Sequence, residues 1–356
     1  MADHPHPDTD HPTTMLAAVF RGARQVTVEP WPTPALGPAD VLVEVDHCGV
    51  CGSDIHIILE GWGQAPEGGG VEGHEWSGTI AVVGPEVDGW AVGDRVVGRP
   101  GGCGECRFCR AGRISLCDRR GQPSSGPWQG AFATYIREPA NRLSRVPDGL
   151  SLRAAALTEP LAVALHGVTR SGVQPGQRAL VTGAGPIGAL VTAALLAKGV
   201  EDVTVSEPFE LRRALVEKLG ARTVHPDDLV APTFPMTLVD EPFDVALECS
   251  GRADAMQAAL SQLGKGGTLV LVGAGMKPPR FDPNRILLNE LTITGAYVYD
   301  AGGFAAALDL LASGAVPADL LTEPDDVPLD GLVEALEDLA GGRRAGKVMI
   351  VPTKGV

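Results

Sequence analysis

Between Met15 and about Thr169, apolar residues come in short runs broken by glycine-rich stretches. The runs Val41–Val45, Thr79–Val83 and Arg95–Val97 predict strands of a mostly β module. From about Gly172 the period changes. Ala179–Thr182 predicts a strand, Pro186–Lys198 a helix and Val203–Ser206 a strand. Phe209–Leu219 predicts a second helix, with Pro208 near its start and Gly220 just past its end. Val245–Glu248, Thr268–Val272 and Leu291–Thr294 continue the strands. Alternating strands and helices imply a parallel, doubly wound sheet, so the chain is α/β. The tail from about Gly303 predicts two amphipathic helices and a last strand, Lys347–Val351. The segment His225–Asp244 holds Pro226, Pro232, Pro235 and Pro242, which should shorten or fragment any crossover helix there.

One run imitates a membrane span. Ala179–Ala197 is uncharged for 19 residues between Arg178 and Lys198. Gly183, Gly185, Pro186 and Gly188 break it near its start, so it reads as buried strand, turn and buried helix, and no membrane association is expected. Of 356 residues, 44% are apolar and 21% charged, enough for a sizeable core without disulfide staples. The net charge of −15 speaks against a nucleic-acid surface, which needs a basic stripe. Residues 1–14 are rich in Pro, His and Asp and lack an apolar core of the kind an export signal carries. They read as a disordered tail, with His4, His6 and His11 as part of it, and the expected location is cytoplasmic.

Gly183-Ala184-Gly185-Pro186-Ile187-Gly188 matches G-x-G-x-x-G. Alone that is a weak signal. Here a strand precedes it, a helix follows it, and Glu207 ends the next strand. The glycines allow a tight turn, close approach of backbone to a pyrophosphate, and helix–strand packing. The helix N-terminus offers free N–H groups and a positive dipole end. Glu207 would accept hydrogen bonds from ribose and repel a 2′-phosphate, which favours NAD over NADP. Arg212 and Arg213 pull the other way, although a carboxylate, Glu207 itself for instance, would occupy Arg212. Cys249 is read as a small buried residue after its strand. With Ser250, Val272 and Gly273 it is also expected to line the cofactor site.

Of seven cysteines, Cys103, Cys106, Cys109 and Cys117 have the spacing C-x2-C-x2-C-x7-C. Four thiolates close a tetrahedron around zinc with no open position, as in a structural site. An iron–sulfur cluster fits the spacing too. Disulfides do not suit a chain without an export signal. Zinc is the reading adopted. Cys48 and Cys51 form a further C-x2-C in which both cysteines are not expected to function. His47, His166 and His225 read as ordinary turn or surface residues. Trp62 and Trp128 would wall a pocket or, more commonly, sit partly buried.

The order Cys51-Gly52-Ser53-Asp54-Ile55-His56, Gly73-His74-Glu75, the cysteine loop, Glu159-Pro160 and the glycine turn resembles the zinc-containing medium-chain dehydrogenases. It is most similar to their polyol and threonine dehydrogenase branches, over nearly the whole chain from Met15. The resemblance implies a GroES-like, mostly β catalytic domain over residues 15–169, completed by 303–356, and a Rossmann domain over 170–302. It implies two zinc ions per chain, one structural and one catalytic. Cys51 and His74 would be catalytic-zinc ligands, with Glu75 and Glu159 alternating as ligand or acting through water, since both at once would make the site net negative. Ser53 would touch the substrate hydroxyl, His56 would pass its proton to solvent, and Asp54 would orient His74. Cys48 is no ligand in that pattern. The zinc site is expected to face Gly183–Gly188 across an interdomain cleft.

The implied reaction is hydride transfer between a small secondary alcohol or polyol, or its ketone, and NAD. A 3-hydroxy amino acid dehydrogenase and a non-catalytic sensor of zinc and NADH are the alternatives. Leu291–Tyr299 reads as an apolar strand at a sheet edge. The family pairs such strands in a homodimer that often doubles into a homotetramer.

Overall fold

A computed structural model describes residues 11–62, 65–99, 101–119, 129–300 and 302–353. Trp128, His4 and His6 lie outside the described residues. The first strands are β1 (Thr14–Gly22), β2 (Gln25–Pro32), β3 (Asp40–Gly49), β4 (Gly70–Val71), β5 (Glu75–Val83), β6 (Arg95–Gly98), β7 (Tyr135–Pro139) and β8 (Leu143–Arg145). Then follow β9 (Arg178–Thr182), β10 (Asp202–Ser206), β11 (Arg222–Val224), β12 (Phe243–Glu248), β13 (Leu263–Leu271) and β14 (Thr292–Gly295). β15 (Val327–Pro328) and β16 (Met349–Val351) end the series.

The N-terminal strands form a three-stranded sheet, β2-β1-β4, and a seven-stranded sheet that includes β15 and β16 from the far end of the chain. One edge of β3 pairs with β5, while the other is shared by β7 and β16. The chain's last strand is thus hydrogen-bonded beside Cys48 and Gly49. The second half makes a six-stranded parallel sheet in the order β11-β10-β9-β12-β13-β14. This is the doubly wound order, with its switch point between β9 and β12. The chain is α/β, with the GroES-like and Rossmann-like architecture expected.

The strand and helix expectations after Gly172 hold within a few residues, apart from β13, which starts at Leu263. Three features differ. The helix Thr158–Ser171 falls where only short strands and loops were expected. Eleven of its 14 residues are buried, so it shows no polar face to mark it as a helix. Pro160 sits in its first turn, where proline is tolerated, and Gly172 caps it at φ 70. The apolar stretch Leu291–Tyr299 is a strand only over Thr292–Gly295, at the open edge of the parallel sheet. Val298 then turns to φ 55, and Tyr299, 1% exposed, enters the core against Phe304. Finally, the last strand starts at Met349, two residues later than expected.

The proline-bearing stretch after β11 holds one 3-10 turn, Pro226–Asp228, and no α-helix among its residues. Its shape is imposed from outside. Arg285, 5% exposed, donates to the carbonyls of Thr237 and Pro235 through one nitrogen and of Ser261 through another. Asn289 adds a bond to the Pro235 carbonyl. No described helix is long and apolar enough to cross a membrane.

Replacing Arg285 with alanine strands buried carbonyls, so Arg285→Ala should lower stability by about 2–4 kcal/mol. Urea unfolding monitored by fluorescence measures this. A change below about 0.5 kcal/mol, the size of an ordinary surface substitution, would mean that the prolines alone shape the segment.

Candidate active site

Cys51 follows β3 and opens a short helical turn, Gly52–Asp54, that continues as a π-turn, Ile55–Leu59. The turn folds Asp54 back beneath Cys51, whose N–H donates to Asp54 Oδ2 at 2.8 Å. Asp54 is fully buried, and burial pushes its carboxyl pKa up to about 6 against the opposing pull of His74. Its other oxygen has no hydrogen-bond partner and lies 3.9 Å from His74 Nδ1. At that separation the two groups attract as charges without sharing a hydrogen bond.

Cys51, His74 and Glu75 bring their ligand atoms within 4.8 Å of one another. Glu75 starts β5 and is 1% exposed. Both its oxygens meet Lys347 Nζ, at 2.8 and 2.7 Å. Lys347, itself 3% exposed, also donates to the Val50 carbonyl at 3.0 Å. Burial alone would lower the Lys347 pKa, but Glu75, then Cys51 and Glu159, hold the ammonium above its ordinary value. Glu159 sits buried in the first turn of Thr158–Ser171, outside the 4.8 Å cluster, with its field reaching His74 and Lys347. A thiol, an imidazole and carboxylates around one point suit a zinc ion with an open position. Cys48 is buried, its thiol pKa pushed far up by desolvation, and stands apart from the cluster.

Ser53 is half-buried two residues after Cys51. His56 shares a 2.8 Å hydrogen bond between Nδ1 and Glu60 Oε2, and its ring stacks on Trp62 at 3.9 Å and 9°. Trp62 is partly buried and acts as a platform for that imidazole. Of the other histidines, His47 lies between Asp46 and Asp326, His225 accepts from Asp227 N–H, and His166, expected at a turn or on the surface, is instead buried in the helix Thr158–Ser171.

At the carboxyl end of β9 the glycine turn is sterically forced. Gly183 has φ 89, and a Cβ on Gly188 would lie 1.9 Å from the Gly183 carbonyl oxygen. The helix Pro186–Ala197 starts there. Glu207, 2% exposed, follows β10 and accepts from Ala184 N–H at 2.7 Å and Phe209 N–H at 3.0 Å. The partner expected for Arg212 is corrected here. Its guanidinium donates to the carbonyls of Leu339 at 2.6 Å and Arg344 at 3.1 Å, from the C-terminal segment, and not to a carboxylate. Arg213 donates to the carbonyls of Glu207 and Pro208, each at 2.7 Å.

Sequence reasoning missed Glu248, at the end of β12 and 0% exposed. It accepts from the N–H groups of Ser250 at 2.7 Å and Gly251 at 3.1 Å, and from the Ser250 hydroxyl. This braces Ser250 against the glycine turn, where a Cβ on Gly183 would lie 2.8 Å from Ser250 Cβ. Val272 and Gly273 donate to the Glu248 carbonyl at 2.9 and 2.8 Å, and Cys249 is buried as expected. Cys249, Ser250, Val272 and Gly273 thus gather at one end of the sheet. Lys347 and Glu60 were missed as well. A lysine beside a C-terminal strand and a glutamate four residues after a histidine carry no motif.

The sulfurs of Cys103, Cys106, Cys109 and Cys117 also lie within 4.8 Å of one another, and all seven cysteines are free thiols. Cys103 Sγ and Cys109 Sγ are 4.0 Å apart. Zinc–sulfur bonds of ~2.3 Å in a tetrahedron put sulfurs ~3.8 Å apart, so the cluster fits that ion. Backbone N–H groups point at the sulfurs, Cys103 N to Cys117, Cys106 N to Cys103 and Cys109 N to Cys106. Such bonds, from Cys109 and Asp118 first, lower the Cys106 pKa to about 6, while desolvation raises Cys109 to about 11.

Residues 37–148 match the family described as alcohol dehydrogenase GroES-like domain, and residues 186–313 match that described as zinc-binding dehydrogenase. The chain is 34% identical over 351 residues to sorbitol dehydrogenase of Bacillus subtilis, covering 96% of this chain and 99% of that one. Among solved structures, 2R,3R-butanediol dehydrogenase of Bacillus subtilis is 31% identical with TM-score 0.84, covering 95% of this chain and 100% of that one. A protein of Sinorhizobium meliloti 1021 described as a zinc-binding dehydrogenase, bound to NADP, is 31% identical with TM-score 0.84, covering 96% and 100%.

If the four clustered thiols act together on one metal ion, Cys106→Ser should remove one metal equivalent per chain and lower the Tm by about 5 °C or more. Elemental analysis and thermal unfolding read the two effects. Unchanged metal content would show that the loop holds none.

Proposed function

Because the chain belongs to the zinc-dependent medium-chain dehydrogenase family, we propose that it oxidises a secondary hydroxyl of a small polyol or alcohol to a ketone with NAD, reversibly. It is an enzyme of the class acting on CH–OH donors. The observation that carries the substrate-site reading is the Cys51–His74–Glu75 cluster, backed by Asp54 and Lys347. The similarity to sorbitol and butanediol dehydrogenases favours polyols over 3-hydroxy amino acids, and favours catalysis over sensing.

When bound, zinc polarises the substrate hydroxyl and NAD accepts the hydride. Cys51, His74 and Glu75 hold the ion, with Glu159 just outside them. Lys347 compensates Glu75, so the cluster does not confront the ion with a full set of unbalanced negative charges. Asp54 fixes the His74 ring. Ser53 takes the hydroxyl proton and passes it to His56. The stack on Trp62 and the bond to Glu60 hold that imidazole in place, and Glu60, 48% exposed, is the exit to water. The cysteine loop holds a second, structural zinc ion.

NAD is preferred because of Glu207. Its carboxylate would repel a 2′-phosphate at ~4 Å by roughly 4 kcal/mol at an effective dielectric of ~20, and a quarter of that is a several-fold preference. Arg212 and Arg213 are engaged by carbonyls, which leaves them less free to hold that phosphate. Neighbours of this fold are described with NADP and with NAD, so the preference rests on this chain's own residues.

The free thiols suit a reducing compartment, and we place the protein in the cytoplasm. The open β14 edge, with Leu287 71%, Leu288 47% and Tyr297 62% exposed, supports a homodimer or a homotetramer built from it.

With a panel of polyols, kcat/KM should be higher for NAD than for NADP, and Glu207→Ala should reduce or reverse that preference. Equal efficiency in the unaltered enzyme, or an NADP preference surviving replacement of both arginines, would sink this reading. Sedimentation at micromolar concentration should show a dimer or tetramer, and a monomer alone would refute the assembly.

A further inference from the structure

A cavity of about 340 Å³ opens at the carboxyl ends of β13 and β14. One wall is built from residues 271–274 and 295–297, which end those strands. In a doubly wound sheet the dinucleotide lies across the switch point. Glu207 and the glycine turn take its adenosine half on one side, so the β13 and β14 side faces the nicotinamide half. The other wall is His166, whose Nδ1 lies 4.0 Å from Asp300 Oδ2, with Arg113, Ser115 and Leu116, which lie between Cys109 and Cys117 of the thiol cluster.

Asp300 ties the two walls together. Its Oδ2 accepts from Arg113 Nε at 2.6 Å. Its Oδ1 accepts from Ser115 N–H at 3.2 Å and from the Ser115 hydroxyl at 2.6 Å. The backbone between Asp300 and the cavity is strained. Val298 has φ 55, a left-handed conformation that a β-branched residue rarely adopts. Such strain persists only where the surroundings over-determine it. Here the buried Tyr299 fixes one point after Val298 and the clasped Asp300 the next. The exposed Tyr297 before it lines the cavity.

We propose that Asp300 is a positioning residue. Its clasp on Arg113 and Ser115 holds Val298 in the left-handed turn, sets the wall at Ala296 and Tyr297 for the nicotinamide end of the cofactor, and couples the cysteine loop to cofactor affinity. This rests on the reading of the chain as an NAD-linked dehydrogenase. The clasp touches neither zinc ligand nor reacting atoms, so its loss weakens binding and leaves the chemical step intact.

The test uses the full-length, zinc-loaded protein, with NADH binding followed by fluorescence alongside KM, kcat, Tm and amide exchange at residues 296–300. Asp300→Ala should weaken NADH binding about fivefold or more, raise KM in step, leave kcat within about twofold, and speed amide exchange in that segment, since several hydrogen bonds to a charged group are lost. Arg113→Ala, which leaves the Ser115 bonds, should act in the same direction more weakly and carries the test if Asp300→Ala does not fold. Adding Val298→Gly to Asp300→Ala should restore part of the affinity, because glycine adopts the turn without a clasp. Unchanged NADH affinity in both single variants overturns the proposal. So does an affinity loss that follows the fall in Tm and is not relieved by glycine, or unchanged amide exchange. Wild-type protein that binds no NADH would instead bring down the dehydrogenase reading, and amide exchange would still judge the clasp.

Discussion

Burying a carboxylate with 1% of its surface exposed is costly unless it is paired, and the contact between Glu75 and Lys347 supplies the partner. The chain's layout answers that constraint. Strand β5 pairs Glu75 opposite Gly49, and a Cβ at Gly49 would stand 2.4 Å from Glu75 Oε2. Strand β16 returns from the far end of the chain to the other edge of β3, and Lys347 enters just before it. Removing one partner of a buried pair costs about 3–5 kcal/mol, since the other is left uncompensated. The cluster around Cys51 and His74 is therefore complete only when Lys347 and strand β16 have docked.

The helix Thr158–Ser171 makes the second connection. Its first turn carries Glu159 to the edge of that cluster. Two turns on, a Cβ at Gly167 would lie 3.0 Å from Val272 Cγ2, against the wall of the cavity proposed for the cofactor. One nearly all-buried helix thus spans the residues proposed to hold zinc and those proposed to line the cofactor site. Leu161, Ala162, Ala164 and Leu165 pack it into the same core as Leu190 and Ala194 of the helix that follows the glycine turn. A shift of that helix would move Glu159 and press on Val272, so the proposed hydride-transfer geometry depends on packing remote from it.

Features that local chemistry dictates were legible in the sequence. The glycine turn, the acid closing the next strand, the cysteine spacing and the order of the catalytic motifs each impose residue types at fixed offsets. The helix Thr158–Ser171 was illegible because burial on nearly every face erases the polar stripe that marks a helix. Leu291–Tyr299 reads as one apolar run, but Val298 turns the chain and sends Tyr299 into the core, a tertiary decision with no local cue. Lys347, Glu248 and Asp300 escaped for another reason. Each acts on residues its own neighbours in sequence do not announce, and Lys347 reaches a partner 272 residues away. Arg212 was assigned the wrong kind of partner because a carbonyl acceptor, unlike a carboxylate, leaves no mark on the sequence.

The choice of carbonyls for Arg212 resolves an apparent conflict. The cofactor is an anion and the chain carries −15. Net charge acts at long range, where salt screens it beyond about 8 Å. Within that distance the local groups decide what an anion meets. Glu207 and Glu248 are each bonded to N–H groups of their own neighbourhood, which offsets part of their charge. The helix Pro186–Ala197 presents its free N–H groups at the glycine turn. Arg212 Nη1 lies 3.8 Å from where a Cβ on Gly185 would be. Its bonds to the Leu339 and Arg344 carbonyls orient the guanidinium without cancelling its charge, as a carboxylate partner would. A positive charge and a helix dipole thus converge on the glycine turn, the loop proposed to receive pyrophosphate. The acidic surface governs only how an anion approaches, and the local geometry governs how it is held.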